Sequence, residues 1–115
     1  MDRPVITRFA PSPTGPLHLG HAYAAKVAHD LASQSGGKMI LRIDDIDHTR
    51  CRNIYRAPIF NDLDWLGLNW YGSASDAQSG NNAPQQSQRM PAYQAALKTL
   101  QDKGLVYPCY LRRRE

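Results

Sequence analysis

The stretch Val5-Ile6-Thr7-Arg8-Phe9-Ala10-Pro11-Ser12-Pro13-Thr14-Gly15-Pro16-Leu17-His18-Leu19-Gly20-His21 decides the fold. Residues Pro4 to Ala10 read as a strand, because Val5, Ile6, Thr7 and Phe9 are β-branched or aromatic and suit a pleated surface. Pro11, Pro13, Gly15 and Pro16 then stop it. Proline withholds a backbone donor and fixes φ, so neither a ladder nor a helix runs through them. A helix begins at Leu17 or His18. Leu19, Tyr23, Val27 and Leu31 recur every four residues with Ala22, Ala25, Ala28 and Ala32 beside them, and Gly36-Gly37 ends the helix. Met39 to Ile43 is a second short apolar run of strand character. Strand, helix and strand in this order predict a βαβ unit over residues 4–43, with a parallel pair and a right-handed crossover.

Outward from that unit the sequence alternates in charge from Asp44 to Arg56, a loop over residues 44–56. A helix is expected at about 58–67. Pro58 suits its first position, Ile59, Leu63 and Leu66 share a face, and Gly67 closes it. Residues 72–89 are rich in Ser, Asn, Gln and Gly and read as a polar surface loop, of a length that marks function or disorder. Another helix is expected at about 91–104, with Tyr93, Leu97 and Leu100 on one face. Residues 105–115 form a terminal segment, apolar and then basic. Two strands and three helices fall short of the five or six strands of a doubly wound sheet. The expectation is an α/β chain, the truncated first half of a doubly wound nucleotide-binding fold, as one partial domain over 1–115.

Composition sets outer bounds. At 115 residues, with 42% hydrophobic and 21% charged, the chain is globular in class and has room for one core. No apolar run reaches the roughly 18 residues of a membrane span. Met1-Asp2-Arg3-Pro4 lacks the apolar stretch of a secretory signal, so a cytoplasmic protein with no membrane partner is expected. Cys51 and Cys109 are too few for a disulfide scaffold, and too few for a zinc site on their own. The net charge of +4 fits an anionic partner, a nucleotide or a nucleic acid. Arg42, Arg50, Arg52 and Arg56 interleave with Asp44, Asp45 and Asp47, while Arg112, Arg113 and Arg114 form a terminal cluster beside Glu115, the one glutamate among ten acidic residues. Mixed charge of that density marks a site or a salt-bridge network.

His18 and His21 carry the chemistry. Three apart in the first turn of a helix, they share a face where unpaired N–H groups and the dipole favour an anion. Gly20 between them lets a flat base approach the backbone. Imidazole N–H groups after a parallel strand suit a nucleoside triphosphate, where they stabilise charge growing on an attacked α-phosphate. The plainer alternative is a surface pair or a metal pair. Metal pairs on helices more often use i, i+4 spacing, and the preceding Pro/Gly loop favours the nucleotide.

Arg8-Phe9-Ala10-Pro11-Ser12-Pro13-Thr14-Gly15, followed by His18-Leu19-Gly20-His21, resembles the opening of a glutamyl-tRNA synthetase. The last four residues resemble the HIGH motif of class I aminoacyl-tRNA synthetases. Four further segments resemble that family in order: Leu41–Asp47 its LRIEDTD, Asp64–Trp70 its DLxWLGLxWD, Gln86–Arg89 with Tyr93 its QSxRxxxY, and Leu105–Tyr110 its aYPCfC. Within the family, Ile46 and Thr49-Arg50-Cys51-Arg52 look most like the short glutamyl-Q tRNA(Asp) synthetase paralogue.

The resemblance implies activation of glutamate with ATP and glutamyl transfer to tRNA(Asp) or tRNA(Glu). It assigns Arg8, Ser12 and Asp44 to glutamate, and Ala10, Pro11, Thr14, His18, Gly20 and His21 to ATP, with His18 and His21 catalytic. Asp44 stands where the family has a glutamate, one methylene longer. Arg42, Asp45 and Asp47 are expected to hold the loop by charge pairs, and Trp65, Leu66 and Leu68 to pack. Mg²⁺ arrives with ATP. No zinc is expected, because Leu111 replaces the second cysteine of the family's Cys-x-Cys; Cys51 and Cys109 are then small packing residues. The sequence holds no counterpart of the family's KMSKS loop. A sheet cut there leaves an edge and a helix face uncovered, which predicts self-association or a complementing chain and an impaired activity. A second class of function fits the same residues: a non-catalytic remnant that binds nucleotide or tRNA or assembles with another chain. A small cytidylyltransferase is disfavoured by Leu41–Asp47 and Gln86–Arg89.

Overall fold

The computed structural model describes residues 3–80 and 82–114; Met1, Asp2, Asn81 and Glu115, and the readings placed on them, lie outside the described residues. Strands β1 (Ile6–Phe9) and β2 (Lys38–Leu41) pair in parallel, Ile6 opposite Lys38 and Phe9 opposite Leu41. Helix α1 (Leu19–Gln34) crosses between them. Both strands are shorter than their apolar runs, and a seam of single bonds continues past them. The amides of Arg42, Asp44 and Arg52 donate to the carbonyls of Phe9, Pro11 and Pro13, each at 3.0 Å. The prolines end the strand because they cannot donate, yet their carbonyls still accept.

On the other side of β2 the polar stretch is tethered by backbone. Parallel bridges join Ile40 to Tyr71 and Ile43 to Gln85, and Ala83 is buried between them in sequence. The Asp76 carboxylate gathers the amides of Gly72 and Ser73, both at 2.9 Å. The stretch ends in a 3₁₀ turn, Gln86–Arg89. Its polar composition concealed this order, because main-chain groups make the bridges and any residue type supplies them.

The core gathers Phe9, Ala25, Met39, Leu41, Ile43, Ile59, Leu63, Leu68 and Trp70. Helix α1 lays its alanines on the sheet: Ala25 and Ala32 are buried, and the Ala28 carbonyl accepts from Thr7 Oγ1 at 2.7 Å. Small side chains permit that close approach. The larger stripe at Leu19, Tyr23, Val27 and Leu31 faces away and is exposed. Helix α2 (Arg56–Trp65) starts two residues before Pro58, after a 3₁₀ turn at Asn53–Tyr55. Pro58 is accommodated in the first turn, where its missing N–H has no intrahelical acceptor. Ile59 and Leu63 are buried as the spacing predicts, but Trp65 is 86% exposed and Leu66 sits at the rim. The expectation that Trp65 and Leu66 pack is therefore corrected; the apolar face runs out at the helix end, and Leu68 alone of the three turns inward.

Helix α3 (Met90–Asp102) buries no residue, and residues 90–114 are exposed throughout. Tyr93, Leu97 and Leu100 share its apolar face and remain partly exposed, with Val106 and Pro108 beside Leu97. The radius of gyration, 16.7 Å, records this projecting arm, since a compact chain of this length measures about 13 Å. No helix among the described residues is long and apolar enough to cross a membrane.

The β1–β2 junction has no spare room at Gly37, where an added Cβ would lie 1.8 Å from the Val5 carbonyl oxygen. Gly37→Ala should cost on the order of 3 kcal/mol in a urea titration. Gly15→Ala, with nothing within 4 Å of the new carbon, should leave the midpoint unchanged.

Candidate active site

The loop over residues 10–16 delivers the chain into α1 through a cap built from two imidazoles. His18 is the N-cap, extended at φ −120° and ψ 179°, so it precedes the helix instead of lying on it. Its Nδ1 accepts the Gly20 amide at 3.1 Å. The His21 Nδ1 reaches back to accept the His18 amide at 3.0 Å. This is the reciprocal geometry of a capping box, with imidazoles in place of the usual hydroxyl and carboxylate. The ring centroids come within 3.9 Å. The expected shared helical face is thus replaced by a cap that brings the two rings together at a tilt of 41°. Gly20 serves that cap: a Cβ there would meet His18 Cε1 at 2.9 Å, so the open space expected for a base holds the His18 ring.

The cap fixes a protonation state. An Nδ1 that accepts carries no proton, so each neutral ring holds its hydrogen on Nε2 as a donor. Partial burial, and then the neighbouring His18, push the His21 pKa below its ordinary value. Both rings line a cleft of about 300 Å³ whose other wall is the C-terminal end of α2, including Asp62, Trp65 and Leu66.

The seam lays Asp44 beside Pro11. Pro11 and Pro13 are buried, Ala10 is half-buried, and Ser12 and Thr14 are exposed, with the Thr14 amide donating to the Ser12 carbonyl at 2.8 Å. Arg8 is exposed on β1 and forms no ion pair among the described residues. The Arg42 guanidinium grips Asp44 as a fork, Nε to Oδ1 at 2.6 Å and Nη2 to Oδ2 at 3.0 Å. The fork raises the Arg42 pKa, chiefly through the Asp44 hydrogen bonds. Asp47 accepts from Thr49 Oγ1 and Arg50 Nε, both at 2.7 Å, and these bonds lower its pKa to about 2. Asp45 departs from the expected charge pair, because its carboxylate takes the amide and hydroxyl of Ser87. Cys51 is half-buried and burial raises its thiol pKa. Cys109 is exposed, so it does not pack. No group of three or more His, Cys, Asp or Glu among the described residues stands in metal-binding array.

Sequence reasoning missed the imidazole cap, the Asp45–Ser87 link and the α2 wall of the cleft. The cap had a signal: a polar residue three before another is the spacing of a capping box, here written His-x-x-His. The other two join distant segments and had none.

The family model for tRNA synthetases class I (E and Q), catalytic domain, matches residues 4–115. The chain is 50% identical over 111 residues to a glutamyl-Q tRNA(Asp) synthetase of Rhodobacter capsulatus, a match over 96% of this chain and 37% of that protein. It is 45% identical over 106 residues to glutamate–tRNA ligase 1 of Neorickettsia sennetsu, over 92% of this chain and 22% of the relative. Among solved structures it resembles a glutamate tRNA ligase from Elizabethkingia meningosepticum in complex with its amino acid. That match has a TM-score of 0.73 and 33% identity, over 87% of this chain and 20% of the other. The chain therefore spans between a fifth and a little over a third of the length of these relatives.

The cap predicts a pH response. His21 has its pKa depressed by folding, so its contribution to stability is complete above the ordinary value of 6.5 and is lost as the pH falls through the folded value. The protection of the His18 amide, corrected for the intrinsic pH dependence of exchange, should fall below that point while the protection of Leu41 holds. An equal loss of protection at both would contradict a local cap.

Proposed function

We propose, for a chain that belongs to the class I tRNA synthetase (E and Q) catalytic-domain family, that these residues form the nucleotide-binding half of a glutamate-activating site. The observation that carries the reading is the neutral imidazole cap, which leaves two Nε2–H donors at the end of a parallel strand, loop and helix. A glutamate carboxylate oxygen attacks the α-phosphorus of ATP, the bond to the β-phosphate oxygen breaks, and pyrophosphate leaves. A tRNA hydroxyl then takes the glutamyl group and releases AMP. His18 and His21 donate to the phosphate oxygens as charge grows on them. Ala10, Pro11 and Thr14 shape the loop that ATP crosses, Gly20 in the first turn of α1 makes room for the His18 ring beside it, and Mg²⁺ enters as part of that substrate.

Arg8 holds a glutamate carboxylate and Ser12 adds a hydrogen bond there. Asp44 takes the substrate ammonium. The Arg42 fork uses one lone pair on each Asp44 oxygen and leaves the others free to accept. Greater identity to the glutamyl-Q enzyme favours tRNA(Asp) as acceptor. The reaction belongs in the cytoplasm, where its tRNA is found. The exposed stripes of α1 and α3 are the faces that the rest of such an enzyme covers, as further polypeptide or as a complementing chain. By themselves they favour self-association. Sedimentation should show association that grows with concentration, whereas a clean monomer at all concentrations with a sharp reversible melt would contradict it.

Glutamate-dependent exchange of pyrophosphate into ATP, with and without tRNA, tests the reading. The double variant His18→Ala/His21→Ala removes both Nε2 donors together with the cap, and retained amide protection at Leu41 shows that the variant is folded. Exchange without tRNA, reduced by about a hundredfold or more in the variant, is the expected result. Exchange only with tRNA would move the assignment to the glutamate–tRNA ligase type. No exchange from folded protein would leave the non-catalytic binding reading in its place.

A further inference from the structure

Asp45 follows the Arg42–Asp44 fork in sequence but turns to a segment forty-two residues away. Its Oδ1 accepts the Ser87 amide at 2.8 Å, and its Oδ2 accepts the Ser87 hydroxyl at 2.6 Å. Around it the backbone closes the same joint, Ile43 N to Pro84 O at 2.9 Å and Gln86 N to Ile43 O at 3.0 Å. With its nitrogen turned toward Asp45, the Gln85 amide presents its oxygen to the Arg56 guanidinium.

Ser87 lies in the 3₁₀ turn Gln86–Arg89, whose own N-cap residue, Gln85, makes no side-chain cap. A carboxylate at the start of a turn satisfies amides that the turn leaves open and opposes its positive end. Asp45 is thus the missing cap, supplied from β2's exit. The turn runs straight into α3, which buries nothing along its length. The arm consequently takes its direction from this one joint.

We propose that Asp45 is a positioning residue, whose capping of Ser87 seats the turn Gln86–Arg89 against the segment that carries Asp44 and so builds one wall of the amino-acid end of the site. The wall's role rests on the reading of Asp44 as the glutamate-facing carboxylate; the clamp itself does not. Asparagine at position 45 can still accept the Ser87 amide and donate to its hydroxyl, whereas alanine can do neither.

Hydrogen exchange and trypsin cleavage after Arg89 test the clamp without any substrate. A failure there is therefore distinct from failure of the glutamate reading. In Asp45→Ala the Ser87 amide should exchange about tenfold faster or more, with faster cleavage at Arg89, while Leu41 and Ile59 keep their protection. Asp45→Asn should restore most of both. Unchanged exchange in Asp45→Ala, or equal loosening in Asp45→Asn, would overturn the proposal. Should Asp45→Ala fail to fold, Ser87→Ala removes the hydroxyl bond alone. Cleavage at Arg89 should then rise several-fold, and no rise would overturn the clamp.

Discussion

The seam between residues 9–13 and 42–52 is the constraint on which everything else in the structure depends. Three carbonyls, of Phe9, Pro11 and Pro13, accept from Arg42, Asp44 and Arg52. Two of these carbonyls belong to prolines, which bring no donor of their own and hold φ fixed. The loop is therefore stiff, and it is committed along one side to the charged segment. That commitment sets Asp44 beside the loop that carries Ser12, and it delivers the chain to His18 in the extended conformation an N-cap requires. An unstiffened loop of the same length would leave strand, cap and carboxylate to find one another anew in each molecule.

The charged residues orient more than they stabilise. Arg50 is exposed and Asp47 half-exposed, and a linked pair so placed contributes little in water. The low pKa of Asp47 keeps its carboxylate ionised, and its turn held, into acid where an ordinary aspartate is protonated. Arg42 and Asp44 are better shielded and share a planar, two-point contact, so their value lies in a fixed carboxylate direction. With Asp44 on Arg42 and Asp47 on Arg50, Arg8 stands exposed on β1 and the two imidazoles line the cleft beside the loop. These are groups suited to a carboxylate and to phosphates.

Much of this was legible in the residues. Proline and glycine punctuation located β1, the loop and the ends of the helices, and the motif order identified the family. Side-chain direction was less legible. The four-residue repeat of Leu19, Tyr23, Val27 and Leu31 is a sound helix signal, but the buried stripe is the alanine one, because closeness to the sheet decides burial here ahead of hydrophobicity. Pro58 marked the right helix and misplaced its start by two residues, since a first turn tolerates proline at several positions. The polar stretch before Arg89 carried no pattern for its bridges to β2, which are main-chain contacts. Asp45 was expected to pair with an arginine nearby in sequence, and a partner forty-two residues on cannot be read from local spacing.

Cap and proposed chemistry both need His18 and His21 to accept at Nδ1 and to donate at Nε2. Nitrogen-15 spectroscopy of the two imidazoles at pH 7.5 measures this directly, before and after addition of Mg-ATP. The expected result is the Nε2–H tautomer on both rings in the free protein, with the Nε2 signals and not the Nδ1 signals moving on binding. A proton on Nδ1 of either ring, or a nucleotide response confined to Nδ1, would contradict the cap and the function built on it.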